Sequence, residues 1–265
     1  MPTAEDRIRA LTELGLEQGD TVMVHCSLRN VGPISDIPTS DRQAFLKALL
    51  NIFDKVLDLE HNGTLVVPTF SYSYARNKVA FHYETTPADP VLGIFAEFVR
   101  CQPNALRSMH PLFSLTGLGY GRDFICANVG KSSYGWNSPF DRLYRADAKL
   151  LLLGVDFSAM TFVHHIEHMA GVSHFYHKAF FIPAYKDGEE LPLPYMSFVR
   201  RLNGKVEIYT KRLQDHMISN GFVSLGKLGG APTMLVSARD VFNEGFLLLQ
   251  ENPCLLIKDP YYVTD

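Results

Sequence analysis

The chain lacks most of what would mark it as membrane-embedded, secreted or nucleic-acid-binding. No run approaches the roughly 18 apolar residues of a membrane-spanning helix. The first twenty residues, MPTAEDRIRALTELGLEQGD, are charged and amphipathic and hold no apolar stretch of the kind a secretory leader needs. Cysteine is scarce: Cys26, Cys101, Cys126 and Cys254 are scattered, with no CxxC pair. That argues against a zinc knuckle and a disulfide framework and reads as free thiols in a reducing compartment. Net charge is small, with 25 Lys and Arg against 28 Asp and Glu and a formal balance of −3. No basic surface for nucleic acid is implied. Internal repeats, low-complexity segments and clear linkers are also missing. These absences predict a cytoplasmic globular protein with neither membrane nor nucleic acid as partner.

What is present is an alternation of helical and strand patterns. With 265 residues, 46% hydrophobic and 20% charged, the chain is long enough to bury a real core as a single domain, 1–265. Thr3 can cap a helix over 3–14, which Gly15 stops. TVMVHCSL (21–28) reads as a buried strand. Apolar residues from Phe45 to Leu57 share one side of a helix over 41–59. A strand over 64–70, a helix over 91–102 and a strand over 112–119 follow. AKLLLLGV (148–155) is the most apolar strand and is expected near the middle of a sheet. A helix over roughly 160–170 comes next. The alternation predicts an α/β fold, a three-layer α/β/α sandwich around a central mixed sheet. After residue 172 the texture changes. KDGEE and NGK supply turns between alternating segments, which predicts antiparallel hairpins added to the sheet or forming a lobe over its edge. FNEGFLLLQENPCLL closes the chain as a helix or helix pair.

Polar residues gather just after the strands, where α/β sheets place their ligand crevices. His25, Ser27, Arg29 and Asn30 follow the first strand. Thr69, Ser71 and Ser73 follow the second. RSMHPLFS carries His110, SSYGWNSPFDRLY is a Gly- and Ser-rich loop, and Asp156 and Thr161 follow the apolar strand. MTFVHHIEHMAG then packs His164, His165, Glu167 and His168 into five positions. On a helix His164 neighbours both His168 at i+4 and Glu167 at i+3. The second spacing permits a histidine–carboxylate pair, in which the acid fixes the tautomer of a general base. The first permits a two-histidine metal site, and with it a metal-dependent hydrolase. The pattern is not HExxH, and a third ligand is not evident, so no metal is expected. His165 and His168 read more simply as solvated polar residues.

These blocks together resemble the aminoglycoside N3-acetyltransferase (antibiotic N-acetyltransferase) family. VMVHCSLRNVG is similar to its V-H-S-S-L-R-x-x-G. GTLVVPTFSYS, ALRSMHPLFSLTGLG, SYGWNSPFDRLYRADAKLLLLGV and TFVHHIEHMAGV match its later blocks in order, over roughly residues 20–172. Three departures stand out. Cys26 replaces the first serine of V-H-S-S. His165 and His168 stand where drug-modifying members carry an apolar residue and an acid. The segment from Phe70 to Phe95 is richer in aromatics than in those members and closer to members that look like amino-sugar modifiers.

The resemblance implies acetyl transfer from acetyl-CoA to a primary amine of an aminoglycoside or related amino sugar. His164 would be the general base, with Glu167 or Asp156 as its orienting acid. Thr69 or backbone amides would stabilise the developing oxyanion. Transfer would be direct, without an acyl-enzyme. The cofactor-binding set it implies is His25, Ser27, Leu28, Arg29, Asn30, Val31, Thr69, His110, Ser138 and Pro139. Ser138 reads equally as a helix N-cap before Pro139, and Arg107 and Arg142 could pair with phosphates or with buried acids. Residues 172–245 would shape the acceptor pocket. Tyr176, Tyr185 and Tyr195 would either stack on sugar rings or pack across strands, while Glu189 and Glu190 read as a solvated turn. A non-catalytic CoA-binding relative is the other alternative, and a homodimer is the base-rate assembly.

Overall fold

A computed structural model describes residues 2–35, 37–201 and 206–259. The elements in chain order are α1 (Ala4–Leu14), β1 (Thr21–Cys26), α2 (Arg42–Leu57), β2 (Thr64–Pro68), α3 (Tyr72–Arg76), β3 (Phe81–His82), α4 (Ile94–Arg100), β4 (Leu106–Arg107), β5 (Leu115–Gly119), α5 (Arg122–Cys126), α6 (Pro139–Arg145), β6 (Lys149–Leu153) and α7 (Val163–Ala170). There follow β7 (Phe175–Phe180), β8 (Ala184–Lys186), β9 (Glu189–Glu190), β10 (Tyr195–Arg200), α8 (Lys211–Ser219), β11 (Ser224–Leu228), β12 (Ala231–Ser237) and α9 (Ala238–Glu251). Seven strands form the main sheet in the order β11-β12-β6-β1-β2-β5-β4. β1 pairs parallel with β2 and with β6, and the remaining pairs are antiparallel. The sheet is therefore mixed, as expected. β1 is its middle strand and β6 lies next to it.

Strand periodicity explains why these segments read as continuous apolar runs. Val22, Val24, Leu65, Val67, Leu151 and Leu153 point to one face, where they meet Leu11, Leu49, Phe53 and Phe95 of α1, α2 and α4. Met23, Val66, Leu150 and Leu152 point to the other face, where they meet α5 to α9 through residues such as Phe140, Ile166 and Val241. A strand covered on both sides must be apolar at every position. This gives the three-layer sandwich.

Several boundaries move for local reasons. The helix expected over 91–102 is broken at Gly93, whose φ of 87° ends a short 3-10 turn over Pro90–Leu92. A Cβ there would sit 3.3 Å from the Cys26 carbonyl oxygen, so the break lets the chain pass close to the end of β1. The strand expected over 112–119 begins only at Leu115. α3, α5, α8 and the β11–β12 hairpin were not legible as separate elements. Thr3 caps α1 as expected, its hydroxyl accepting from Asp6 N–H, and Thr3 N–H in turn donates to Asp6 Oδ2.

The C-terminal half is antiparallel in two ways. β11 and β12 extend the main sheet beyond β6. β7 and β10 form a separate two-stranded sheet. KDGEE is a turn with Asp187 and Gly188 at φ of 52° and 81°, joining β8 to β9. NGK (203–205) lies outside the described residues. β10 pairs with β7 rather than with VEIYTK, where Ile208 instead bridges to Ile257. No helix among the described residues is long and apolar enough to cross a membrane.

Gly154 ends β6 with φ of 69°, and a Cβ there would lie 2.6 Å from the Ser27 carbonyl oxygen. Gly171 ends α7 with φ of 68° and open space around it. Gly171→Ala should therefore cost about 1 kcal/mol from backbone strain alone. Gly154→Ala adds a clash with backbone and should cost at least about 2 kcal/mol. Chemical denaturation of both variants checks the order. Equal losses would show that the contact with Ser27 carries no weight.

Candidate active site

The C-terminal ends of β1, β2 and β6 open onto a cleft of about 570 Å³. His25, Cys26, Ser27 and Leu28 come from β1 and its exit, Pro68 from β2, and Val155, Ser158, Ala159 and Thr161 from the segment after β6. The 90–94 turn supplies the outer wall. A second cleft of about 350 Å³ lies on the other side of His164. Its lining includes Phe70, Tyr72, Phe113, Phe175, Phe198 and Arg200. Tyr72, Thr161 and His164 line both clefts. His164 thus stands in their shared wall. A third cavity, of about 320 Å³, shares Leu28 and Ile94 with the first and carries Arg29 and Arg42.

Helix geometry sets the His164 ring. Val163 and Ile166 of α7 are buried in the core, Glu167 is buried one turn beyond Val163 on the same face, and His164 stands at the edge of that face. His164 Nδ1–H donates to Glu167 Oε2 at 2.7 Å. His174 Nε2–H donates to the other carboxylate oxygen, Oε1, at 3.0 Å. Glu167 is completely buried, whereas the His164 side chain is 23% exposed. Burial by itself raises a carboxyl pKa, but here the bonds from His164 and His174 outweigh it and hold Glu167 below the usual carboxylate range. With Nδ1 fixed as donor, Nε2 of His164 is the nitrogen left to accept a proton.

His174 was missed in the sequence. It lies three residues beyond Gly171, outside the helical spacing that draws attention to the HHIEH cluster. His165 departs from expectation, whereas His168 keeps partial exposure. His165 is buried and its Nδ1–H donates to the Tyr134 carbonyl at 2.6 Å. His168 packs against His177 and Phe198, with its pKa lowered to about 4 chiefly by burial. The cluster's histidines turn to different partners. Among the described residues no group of three or more His, Cys, Asp or Glu side chains is arranged to hold a metal ion.

The other candidate residues divide into two groups. His25, Ser27, Leu28 and Arg29 line the first cleft or its extension. His25 Nε2 accepts from the Thr161 backbone N–H at 3.2 Å and lies 2.9 Å from the Thr161 hydroxyl. Its Nδ1 is buried without a partner among the described residues, and burial lowers the ring's pKa to about 4. Asn30 and Val31 stand outside these linings; Val31 is buried, and its carbonyl accepts from Arg7.

Thr69 lies elsewhere. Its hydroxyl is buried against Ser114 and Thr116, at 3.2 and 3.0 Å, away from both clefts. Asp156 Oδ1 accepts from Ser158 N–H at 2.9 Å as a cap. The acid beside His164 is Glu167, not Asp156. His110 ties its own loop to β10: Nδ1 accepts from Phe113 N–H at 3.0 Å, and Nε2 faces the Met196 carbonyl at 3.3 Å. Ser138 caps α6 by accepting from Asp141 N–H, with Pro139 in the first turn. Arg107 and Arg142 bond to backbone carbonyls and neutral side chains, not to buried acids. Tyr195 is buried and Tyr185 stacks on His82, so both pack within the fold. Glu189 and Glu190 are exposed, as expected.

A family model described as aminoglycoside 3-N-acetyltransferase matches residues 23–250. The chain belongs to this family. Membership makes it an acyltransferase. Aminoglycoside N(3)-acetyltransferase VII of Streptomyces paromomycinus is 28% identical, over 94% of this chain and 92% of its own length. Aminoglycoside N(3)-acetyltransferase III of Pseudomonas aeruginosa is 26% identical, over 88% of each. The solved structure of AAC-IIIb with CoASH superposes with a TM-score of 0.80 at 23% identity, covering 98% of this chain and 99% of that one. The AAC(3)-IVa apoenzyme gives 0.79 at 25% identity, covering 98% and 92%. The family's fold is therefore present from the first strand to the last helix.

The buried groups give the fold a definite acid response. His25 and His110 are held neutral, both lowered to about 4 from 6.5 by burial. The unfolded chain therefore binds more protons below pH 6.5. Stability is full above about pH 6.5 and falls as the pH drops toward 4, by up to about 1.4 kcal/mol per pH unit for each group. Glu167, lowered from 4.5, adds a further loss below that value. Melting temperature followed from pH 8 to pH 4 should be flat and then fall. A flat profile down to pH 5 would refute the assignment.

Proposed function

We propose that this protein transfers the acetyl group of acetyl-CoA to a primary amine of an aminoglycoside or related amino sugar, in the cytoplasm, with His164 as general base. The observation that carries this reading is the position of His164 in the wall between two clefts, with Nδ1 held by a buried carboxylate. One cleft suits the thioester and the other the amine.

The first cleft and its extension fit the co-substrate. The walls near His164 are apolar or neutral, with His25 and Ser27 among their polar residues. That environment suits a pantetheine arm. Arg29 and Arg42 lie further out, where cationic forks would meet phosphates. The second cleft, bordered by Phe175, Phe198, Val199 and Ile208, receives the acceptor. Those residues come from the region beyond 172.

The chemistry then follows from the geometry. The amine lone pair attacks the thioester carbon while Nε2 of His164 takes the amine proton. The C–N bond forms, the C–S bond breaks, and the proton passes to the departing sulfur. Glu167 holds the imidazole in the required tautomer and offsets the positive charge that develops on it. Cys26 lines the cleft, but burial pushes its thiol up to about 12, so it keeps its proton near neutral pH. That favours direct transfer over an acyl-cysteine. The oxyanion donors in this reading are backbone amides or the Thr161 hydroxyl, because the Thr69 hydroxyl faces away from both clefts.

Thiol release from acetyl-CoA, assayed with gentamicin-type and kanamycin-type aminoglycosides and amino-hexoses, tests this reading. His164→Ala should lower kcat by about 10²–10⁴-fold with little change in the KM for acetyl-CoA. Turnover persisting near the wild-type rate would overturn the base assignment. Arg29→Ala and Arg42→Ala should each raise the KM for acetyl-CoA by about tenfold, the worth of one charge-assisted bond. An unchanged KM in both would place the phosphates elsewhere.

A further inference from the structure

We propose that the amine acceptor is an amino sugar carrying an anionic group, phosphate or carboxylate, and that Arg76 and Arg200 determine this specificity. The inference rests on the reading of the second cleft as the acceptor site. Among the described residues that cleft carries formal charge of one sign. Arg76 and Arg200 are its only fully charged lining residues, and no carboxylate lines it among the described residues. Glu167 is fully buried behind His164, with both oxygens already accepting from histidines. Asp89 contributes a field at Tyr72, but it caps the 90–92 turn through Val91 N–H at 3.1 Å.

A polyamine needs carboxylates, because each ammonium gives up hydration on entering an apolar-walled site. Here it would meet two guanidinium groups instead, and like charges brought together oppose binding. The same arrangement suits an anion. Neither arginine forms an ion pair with a carboxylate among the described residues. Arg76 lies with its guanidinium carbon 4.9 Å from the centre of the Tyr72 ring, which supports the plane and leaves the N–H edges available. A planar fork of N–H donors matches two oxygens of a phosphate or carboxylate. The aromatic walls then face the sugar ring. The charge also helps the chemistry: two nearby cations disfavour the ammonium form of the acceptor, so more of the amine carries its lone pair at neutral pH.

The experiment is the thiol-release assay on the full chain with four acceptors: glucosamine, glucosamine 6-phosphate, the corresponding 2-amino-hexuronic acid and gentamicin. The expected result is a kcat/KM at least tenfold higher for a charged sugar than for glucosamine, with gentamicin below both. The phosphate and carboxylate arms show which anion is read. Arg200→Gln and Arg76→Gln, both exposed positions, should raise the KM of the anionic acceptor about tenfold, and Arg200→Glu should shift preference toward gentamicin. Gentamicin turned over as well as the anionic sugars overturns the proposal, and so does thiol release from none of the four while acetyl-CoA binds by calorimetry. A rise in the KM for acetyl-CoA in the arginine variants also overturns it, by assigning the arginines to the co-substrate. If acetyl-CoA itself does not bind, the functional reading beneath it fails instead.

Discussion

The site depends on one charged group placed where a charge is expensive. Glu167 has no exposed surface, and an isolated carboxylate in that position would cost several kcal/mol. Two histidine N–H groups, one on each oxygen, make it tolerable. They reach it by different routes. His164 lies one turn earlier on α7, so helix geometry alone delivers it. His174 arrives after the chain reverses at Gly171 and enters β7, so the turn is part of the site. The helix is itself held by packing, since Gly245 of α9 leaves Ile166 of α7 room that a Cβ would take, at 3.1 Å. The orientation of the His164 ring thus depends in part on a glycine two helices further along the chain.

The sheet decides where this arrangement lies. β1 is parallel to both its neighbours, and its exit leads to α2 on one face. β6, beside it, exits to α7 on the other face. Where adjacent parallel strands send their chains to opposite faces, a crevice opens beyond their C-terminal ends. The 25–28 and 155–161 segments form its two sides. His164 enters at the inner end of that crevice, and the aromatic cleft backs onto it. In the proposed reaction a thioester and an amine lie on either side of one imidazole, as direct transfer requires.

The layered fold was legible in the sequence because strands covered on both faces cannot hide their composition. Val22 to Val24 and Leu150 to Leu153 are apolar at every position, and no other element class explains such short runs between helical patterns. The His164–Glu167 contact was legible too, because i and i+3 on a helix are neighbours whatever the fold. What could not be read were contacts that depend on distant chain segments. Nothing local places His174 near Glu167, or pairs β7 with β10 across the β8–β9 hairpin. The break at Gly93 was hidden for a similar reason: its cause is the Cys26 carbonyl, 67 positions earlier in the chain. His165 looked solvated because its hydrogen-bond partner is a backbone carbonyl in the 132–139 loop.

The motif residues that stand away from the clefts follow from a separate constraint. Loops that wall a crevice carry backbone carbonyls that need donors once they are shielded from water. Arginine offers five N–H groups from one side chain. Arg7 donates to the carbonyls of Val31, Gly32 and Pro33, holding the loop after β1. Arg107 reaches the carbonyls of Thr86 and Thr69 and the hydroxyls of Ser71 and Ser114, joining the segments after β2 to β4 and β5. Arg142 reaches the carbonyls of Phe124 and Asn128 and the side chain of Asn137. Burial lowers the pKa of all three, Arg107 to about 9, yet each remains charged at neutral pH and keeps its donors. His110 and Ser138 do the same work with fewer donors or acceptors. A polar residue in a motif can therefore serve catalysis without touching a reactant, by fixing the wall against which the reactants are held. The two arginines of the aromatic cleft differ from these: both are exposed, both line the cleft, and none of the described hydrogen bonds ties either to a wall carbonyl.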